Sequence, residues 1–333
     1  MWPLIKPLLF ALDPERAHAL ALRMLQLTGA VPPLRALLGL LYRAPEKPTE
    51  VMGLCFRNAL GLAAGWDKDG LALRGLPALG FGHVELGTVT PRPQPGNAKP
   101  RVFRLPADSA LINRMGFPSR GADFLAARLA SKPAGMIVGV NLGKNKDTPN
   151  ADALADYASL LERFAPLADY LVVNVSSPNT QGLRDLQAKS ELEALLAGLI
   201  ARRRAIASKV PLLVKLSPDL SDDALDDAIG AALAAGLDGI VATNTTLART
   251  GLTSAHMNEA GGASGALLSA RSLAVVTRIV QRAPGLAVIA AGGVMSADDA
   301  QRRLDAGAAL VQLYTGLVYG GPGLVKRIVR QLS

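Results

Sequence analysis

Residues 174–180 read Asn-Val-Ser-Ser-Pro-Asn-Thr, directly after the apolar run 170–173. Two carboxamides and a pair of hydroxyls before a proline are poor packing material at the end of a strand. They are good hydrogen-bonding material, because an amide offers both donor and acceptor and a hydroxyl can act as either. Lys215 closes another apolar run. A lysine placed there can serve as a Schiff-base nucleophile or as a fixed cation. Polar or glycine positions close the other runs as well: Lys68, Thr88, Asn141, Thr243 with Asn244 and Thr245, Gly292 with Gly293, and Tyr314 with Thr315. Any one of them could be an ordinary turn residue. As a set they mark one place where chemistry is assembled.

The elements that must position these groups follow from the rhythm of the chain. From about residue 60 onward, short β-branched runs alternate with longer amphipathic segments, the pattern of a parallel sheet built from βα units. Eight strands are expected, at 60–65, 83–89, 136–143, 170–176, 211–217, 239–245, 286–293 and 309–316. Helical patterns lie at 150–166, 189–208, 221–235 and 269–283, with Asn150, Ser190, Ser221 and Ser296 as candidate caps. Eight such units fit an α/β chain folded as a (β/α)8 TIM barrel, in which the carboxyl ends of all strands converge on one mouth. The loop 261–265, Gly-Gly-Ala-Ser-Gly, and the Gly292-Gly293 pair supply backbone N–H groups near strands seven and eight, where barrels often hold phosphate. A doubly wound dinucleotide fold is disfavoured, since no G-x-G-x-x-G string occurs, and the Gly-Lys pair at 143–144 has the wrong spacing for a P-loop.

Composition sets the outer limits. The 333 residues are 50% hydrophobic and 19% charged, with a formal net charge of +9, so the chain is globular and favours anionic partners. With 4% aromatic residues and no recognition motif, nucleic acid is the weakest of those partners. Arg202, Arg203 and Arg204 read as a solvated helix face. The single cysteine, Cys55, reads as a small buried hydrophobe in a reducing compartment, and His18, His83 and His256 lack metal-ligand spacing. The first forty-odd residues differ in kind, with two acids and five prolines and no apolar run long enough to span a membrane. On a helix starting near Pro14, residues Glu15, Arg16, Arg23 and Gln26 share one stripe, opposite Leu20, Met24 and Leu27. That pattern suits a helix lying in a membrane interface and, as well, a helix packed on the outside of the barrel.

Taken together, the strings 63–70 (AAGWDKDG), 87–97 (GTVTPRPQPGN), 100–105 (PRVFRL), 112–117 (INRMGF), 141–148 (NLGKNKDT), 174–184 (NVSSPNTQGLR), 215–220 (KLSPDL), 242–246 (ATNTT), 261–265 (GGASG), 290–294 (AAGGV) and 310–316 (LVQLYTG) resemble the membrane-associated class 2 dihydroorotate dehydrogenases. The likeness extends to 12–22 (LDPERAHALAL) and covers nearly the whole chain. It implies a barrel over 45–333 that binds FMN and oxidises dihydroorotate to orotate in pyrimidine biosynthesis. It also implies an extension over 1–44, a two-helix cap that lies in the membrane surface and leads a quinone to the flavin. By resemblance Ser177 is the base that takes the C5 proton of dihydroorotate, with a water or a neighbouring hydroxyl such as Thr180 relaying it. Class 1 relatives carry Cys at that position.

The same likeness assigns Lys68, Asn113, Arg114, Met115, Gly116, Phe117, Asn174, Asn179, Asn244 and Thr245 to the substrate. The flavin is matched by Ala64, Gly65, Trp66, Asp67, Lys68, Thr88, Asn141, Asn174, Lys215, Thr243, Gly265, Gly293, Tyr314 and Thr315. His18, Arg104 and Tyr314 match the quinone tunnel. A dihydropyrimidine edge alternates N–H and C=O, which a ring of asparagines can pair without adding charge. Trp66 stands where relatives often carry an aliphatic residue. The likeness further implies a monomer with no metal and no nucleic-acid partner. A peripheral location on the cytoplasmic side of a bacterial inner membrane is expected, because the chain opens without an Arg- and Ser-rich transit segment. Against this stand an aldolase-type barrel using Lys215, a flavin-dependent RNA-modifying reductase, and a non-catalytic membrane-docking barrel.

Overall fold

The computed structural model describes residues 2–332. Eight parallel strands close into a barrel in chain order: β3 (Leu60–Leu62), β4 (His83–Val89), β7 (Ile137–Leu142), β8 (Tyr170–Asn174), β9 (Leu212–Leu216), β10 (Gly239–Ala242), β12 (Ala287–Ala291) and β13 (Leu310–Leu313). Both faces of these strands are covered, which is why they read as unbroken Val/Ile/Leu runs rather than alternating ones. All eight expected strands are present. Most stop earlier than their apolar pattern, because the polar residues that follow leave the ladder for loops at the mouth.

The barrel's floor is sealed by a hairpin that sequence reading missed, β1 (Thr49–Val51) paired with β2 (Leu54–Phe56). Val51 and Phe56 turn into the barrel beside Tyr170, Val172, Leu213, Val241 and Ile289. Strand alternation then sends Cys55 outward opposite Glu50, so the cysteine is exposed and not the buried hydrophobe expected of it. Two barrel glycines are required by bulk inside: a Cβ on Gly61 would lie 2.1 Å from the His83 ring, and one on Gly139 would lie 2.1 Å from the Tyr170 ring.

Outside the barrel lie α4 (Ala122–Leu129), α5 (Ala153–Phe164), α6 (Lys189–Ala205), α7 (Asp222–Ala235), α8 (Ser269–Arg282), α9 (Ala297–Asp305), α10 (Thr315–Gly320) and α11 (Gly323–Gln331). Their buried faces follow the helical period, as with Tyr157, Leu160, Leu161 and Phe164 on α5. Ser221 and Ser296 cap α7 and α9 as expected, accepting from Ala224 N–H and Asp299 N–H. The other two caps do not form. Asn150 opens a short 3-10 turn and donates its amide to Gly182 O, and Ser190 sits inside the first turn of α6. No α-helix follows β3; the chain returns through a 3-10 turn at Leu76–Leu79. Of the three arginines read as solvated, Arg203 is only half-exposed, held by Asp238 and Val210 O.

Above the mouth, β5 (Val102–Leu105), β6 (Ala110–Asn113) and β11 (Gly262–Gly265) form an antiparallel sheet in the order β11-β6-β5. The stretch 261–265 is therefore largely a strand and not the loop expected. The N-terminal segment holds three helices where two were expected: α1 (Trp2–Ala11), α2 (Pro14–Ala30) and α3 (Pro32–Tyr42). Asp13 caps α2 by accepting from Glu15 and Arg16 N–H. Glu15 then takes a bidentate pair from the buried Arg101 and a bond from Lys99, which together outweigh burial and hold its carboxyl below the usual range.

Candidate active site

The strand ends and the overhead sheet enclose one cavity of about 990 Å³, counting its mouth. From β3 and the loop after it come Ala63, Ala64, Gly65 and Lys68; from β4, Thr88. The β6 end contributes Asn113, followed by Met115, Gly116 and Phe117. From β8 and its loop come Asn174, Ser177 and Asn179. Lys215 on β9, Thr243, Asn244 and Thr245 after β10, Gly265 on β11, Gly293 after β12, and Tyr314 and Thr315 after β13 complete the wall. Residues spread over 250 positions of sequence thus share one space, because a closed parallel barrel brings all carboxyl ends to one side.

Hydrogen bonds aim the amides. Asn179 Nδ2 donates to Asn113 Oδ1 at 3.1 Å, while Asn179 Oδ1 is buried with no partner in the protein. A buried acceptor left open in this way fits a ligand N–H. Asn174 Oδ1 accepts from Ser176 Oγ at 2.9 Å and from Asn244 Nδ2 at 3.3 Å. Ser177 Oγ accepts Asn179 N–H at 3.2 Å, and nearby in the chain Thr180 Oγ1 is buried and unpartnered.

Two cations face the space. Lys68 Nζ donates to Gly65 O at 2.6 Å, and burial draws its pKa down to about 8, with Asp69 opposing that shift and Arg101 adding to it. Lys215 is buried, and no side-chain hydrogen bond or ion pair holds it among the described residues.

Some expected site residues stand elsewhere. Asn141 lies behind the cavity wall, fully buried, bonded to Thr88, Asn174 and Glu85. The Asp67 carboxylate caps Leu71 and Ala72 N–H, a structural task. Arg114 turns away to Glu259 and Ala260 O and stacks over Phe103. Trp66 is buried, its ring edge-on to His18 at 5.1 Å between centroids. His18 is drawn down to about 4, mainly by burial and then by the Lys68 charge, against a bond to the Trp66 backbone. Tyr314 OH reaches Gly65 O at 3.4 Å, so His18 and Tyr314 contact neighbouring residues of the same loop. Arg104 is farther out, binding Leu9 O and Leu12 O and lying over the Phe10 ring.

Sequence reading missed Ser264, Leu268, Met295 and Gln312, which also line the cavity. Only Gln312 carried a signal, as a lone amide within the apolar run of β13.

The residues present fit a flavin. A cavity of this size walled by strand-end glycines, with a free lysine ammonium and unsatisfied amide groups, suits a flat, amide-edged, phosphorylated ring system.

Residues 47–333 match the family Dihydroorotate dehydrogenase. The chain belongs to the class 2, quinone-dependent dihydroorotate dehydrogenases. It is 54% identical to the dihydroorotate dehydrogenase (quinone) of Anaeromyxobacter sp. (strain Fw109-5), over 98% of this chain and 91% of the relative. It is 49% identical to the enzyme of that name from Thiobacillus denitrificans, over 100% and 99%. Among solved structures it resembles the Eimeria tenella DHODH in complex with ferulenol, with a TM-score of 0.88 and 37% identity over 96% of this chain and 90% of that one. The ligand-free Eimeria tenella structure gives a TM-score of 0.86 at 38% identity. Membership of this family sets aside the aldolase, RNA-reductase and non-catalytic readings.

Proposed function

We infer that the mouth cavity is where this chain oxidises dihydroorotate to orotate for pyrimidine biosynthesis, passing the electrons to a quinone. The observation that carries the reading is the convergence of Asn113, Asn174, Asn179 and Asn244 around Ser177, with Asn179 Oδ1 still lacking a partner. Four carboxamides match a ring that alternates N–H and C=O, and Lys68 supplies the cation for its carboxylate. Ser177, already accepting Asn179 N–H, is placed to take the C5 proton, and the open Thr180 hydroxyl can take part in passing it to water.

The cofactor is FMN, held by Ala64, Gly65, Thr88, Lys215, Thr243, Gly265, Gly293, Tyr314 and Thr315, with Asn141 supporting from behind. Bound there, it supplies the hydride acceptor for C6. Lys215 places a positive charge beside it, and the glycine backbone gives N–H groups to its phosphate.

The N-terminal helices form the membrane-facing, quinone-admitting part, with His18, Arg104 and Tyr314 along the path. Twelve of the fifteen large apolar side chains exposed among the described residues lie on them or on the links between them, from Leu4 to Leu41, including Leu20, Met24, Leu27, Leu37 and Leu40. No single described helix is long and apolar enough to cross a membrane. The exposed face suits docking on a bilayer surface, which supports reading the chain as a peripheral protein; its resemblance to the class 2 enzymes adds the expectation of a monomer on the cytoplasmic side of an inner membrane. An anaerobic absorption spectrum tests the core of the reading. A flavin band that bleaches with dihydroorotate and returns with a soluble quinone is expected; a colourless chain that stays unreactive after reconstitution with FMN would overturn it.

A further inference from the structure

Beneath the cavity floor lies an acid that the reaction does not touch. Glu85, on β4, is fully buried inside the barrel. Its Oε1 accepts from Asn141 Nδ2 at 2.8 Å and its Oε2 accepts from Gln312 Nε2 at 2.7 Å. A carboxylate only accepts, so both amides turn their NH2 groups toward it. Asn141 is then obliged to present its oxygen on the other side. There it accepts the Thr88 hydroxyl at 2.5 Å and Asn174 Nδ2 at 2.9 Å.

The constraint passes on. With its nitrogen committed to Asn141 and Thr88, Asn174 turns its oxygen to Ser176 and to Asn244 Nδ2. Asn244 in turn gives its oxygen to Thr245 N–H at 2.8 Å. A single donor-to-acceptor direction therefore runs from Asn244 through Asn174 and Asn141 to Glu85, with Gln312 arriving from the far side. A carboxamide is nearly symmetric in shape, so packing alone does not decide which end is oxygen; the acid decides it for Asn141, and the backbone N–H groups of Ser176 and Thr245 act in the same sense on Asn174 and Asn244. The sense matters at the cavity, because a flipped amide would set donor against donor on a ring whose edge alternates the two.

We propose that Glu85 is a positioning residue for the reaction. It fixes the donor–acceptor sense of Asn141, whose oxygen then holds the Asn174 NH2 group and the Thr88 hydroxyl at the cavity wall, in register with the backbone N–H groups that set Asn174 and Asn244, and so secures the pyrimidine edge the cavity accepts. This rests on reading the cavity as the dihydroorotate and orotate site.

Glu85→Gln keeps size and shape and adds an NH2 group, so either end of the new amide can face Asn141, with the open Oε1 of Gln312 able to meet the other, and the sense of Asn141 is no longer fixed. Orotate binding to the flavin-loaded enzyme, followed by the shift of the flavin spectrum, is expected to weaken at least tenfold while flavin content and thermal midpoint stay near the unaltered values. The swap Glu85→Gln with Gln312→Glu restores the direction. The acid at position 312 accepts from the amide at 85, whose oxygen again accepts Asn141. Orotate affinity is expected to return to within about threefold of the unaltered enzyme. Full affinity in Glu85→Gln, or no recovery in the swap, would overturn the proposal. Should the single variant not fold, neutron diffraction on the unaltered enzyme decides: deuterons of Asn141 Nδ2 directed at Glu85 support the proposal, and the opposite sense sinks it. If the unaltered enzyme itself fails to bind orotate, the reading of the cavity falls first, and the proposal with it.

Discussion

A hydroxyl becomes a useful base only through its surroundings, and Ser177 is surrounded for that purpose. It sits buried on the loop after β8 with an N–H at its oxygen and two amides flanking the cavity. Ser177→Ala should slow bleaching of the flavin by dihydroorotate by about 10²- to 10⁴-fold, the ordinary worth of a general base, while orotate still binds. Stopped-flow absorption without oxygen measures both, and unimpaired bleaching would remove the serine from the mechanism. Lys68 makes a pH prediction. Burial has drawn its pKa down to about 8, so above that pH the ammonium loses its proton and the substrate carboxylate loses its partner. The KM for dihydroorotate should climb between pH 8 and 9, by up to about tenfold per unit, with a smaller change in the limiting bleaching rate. A KM that stays flat across that window counts against this role.

At the scale of elements, α2 packs on the barrel along one side and leaves an apolar face exposed on the other. Leu22 and Leu25 lie against the core. Close backbone contact holds it there: a Cβ on Gly29 would stand 2.5 Å from Gly75 N, and one on Gly75 would stand 2.3 Å from Leu25 O. The other side, Leu20, Met24 and Leu27, stays exposed. Gly29→Val should push α2 off its seat at a cost of about 1–3 kcal/mol. Quinone reduction should then fall, while bleaching by dihydroorotate persists; equal loss of both half-reactions would show that the helix serves the whole site instead. The exposed face carries its own prediction. Leu27→Gln with Leu37→Gln should reduce co-sedimentation with phospholipid vesicles by tenfold or more, since each leucine moved out of water contributes roughly 1.5–3 kcal/mol. Turnover with a soluble dye should not change, and undiminished vesicle binding would place the membrane contact elsewhere.

For the molecule as a whole, the barrel interior sets a limit on stability in acid. His83 is buried between the Phe56 and Tyr170 rings, and burial draws its pKa down to about 3. The unfolded chain takes up a proton near pH 6.5 that the folded chain refuses until about 3, so stability falls with pH across that window and the loss stops below it. His83 alone should account for about 2 kcal/mol between pH 7.5 and 5. Replacing it by Phe should flatten the acid limb of stability by that amount, read from denaturant unfolding at several pH values. An unchanged limb would show that other groups dominate.

How much of this was present in the sequence depends on how local each determinant is. By itself the sequence determined the eight-strand rhythm, the mouth as the meeting place of the strand-end polar groups, and most residues of the cavity wall, because period, strand ends and motif strings are local features of the chain. It did not reveal β5, β6 and β11, whose antiparallel pairing joins residues up to about 150 positions apart, nor the floor hairpin that turns Cys55 outward. It assigned Arg114 and Asp67 to ligands; Arg114 pairs with Glu259, far away in the chain, while the Asp67 carboxylate caps the N–H groups of nearby Leu71 and Ala72. It passed over Glu85 and Gln312, two polar residues inside apolar strands. Pairing of β4 with β7 brings Asn141 to Glu85, and closure of the barrel, which sets β13 against β3, brings Gln312 within reach from two strands away. Tertiary structure therefore decided which way the Asn141 amide points: a carboxamide's sense is set by the partner it meets, and that partner, Glu85, lies on another strand.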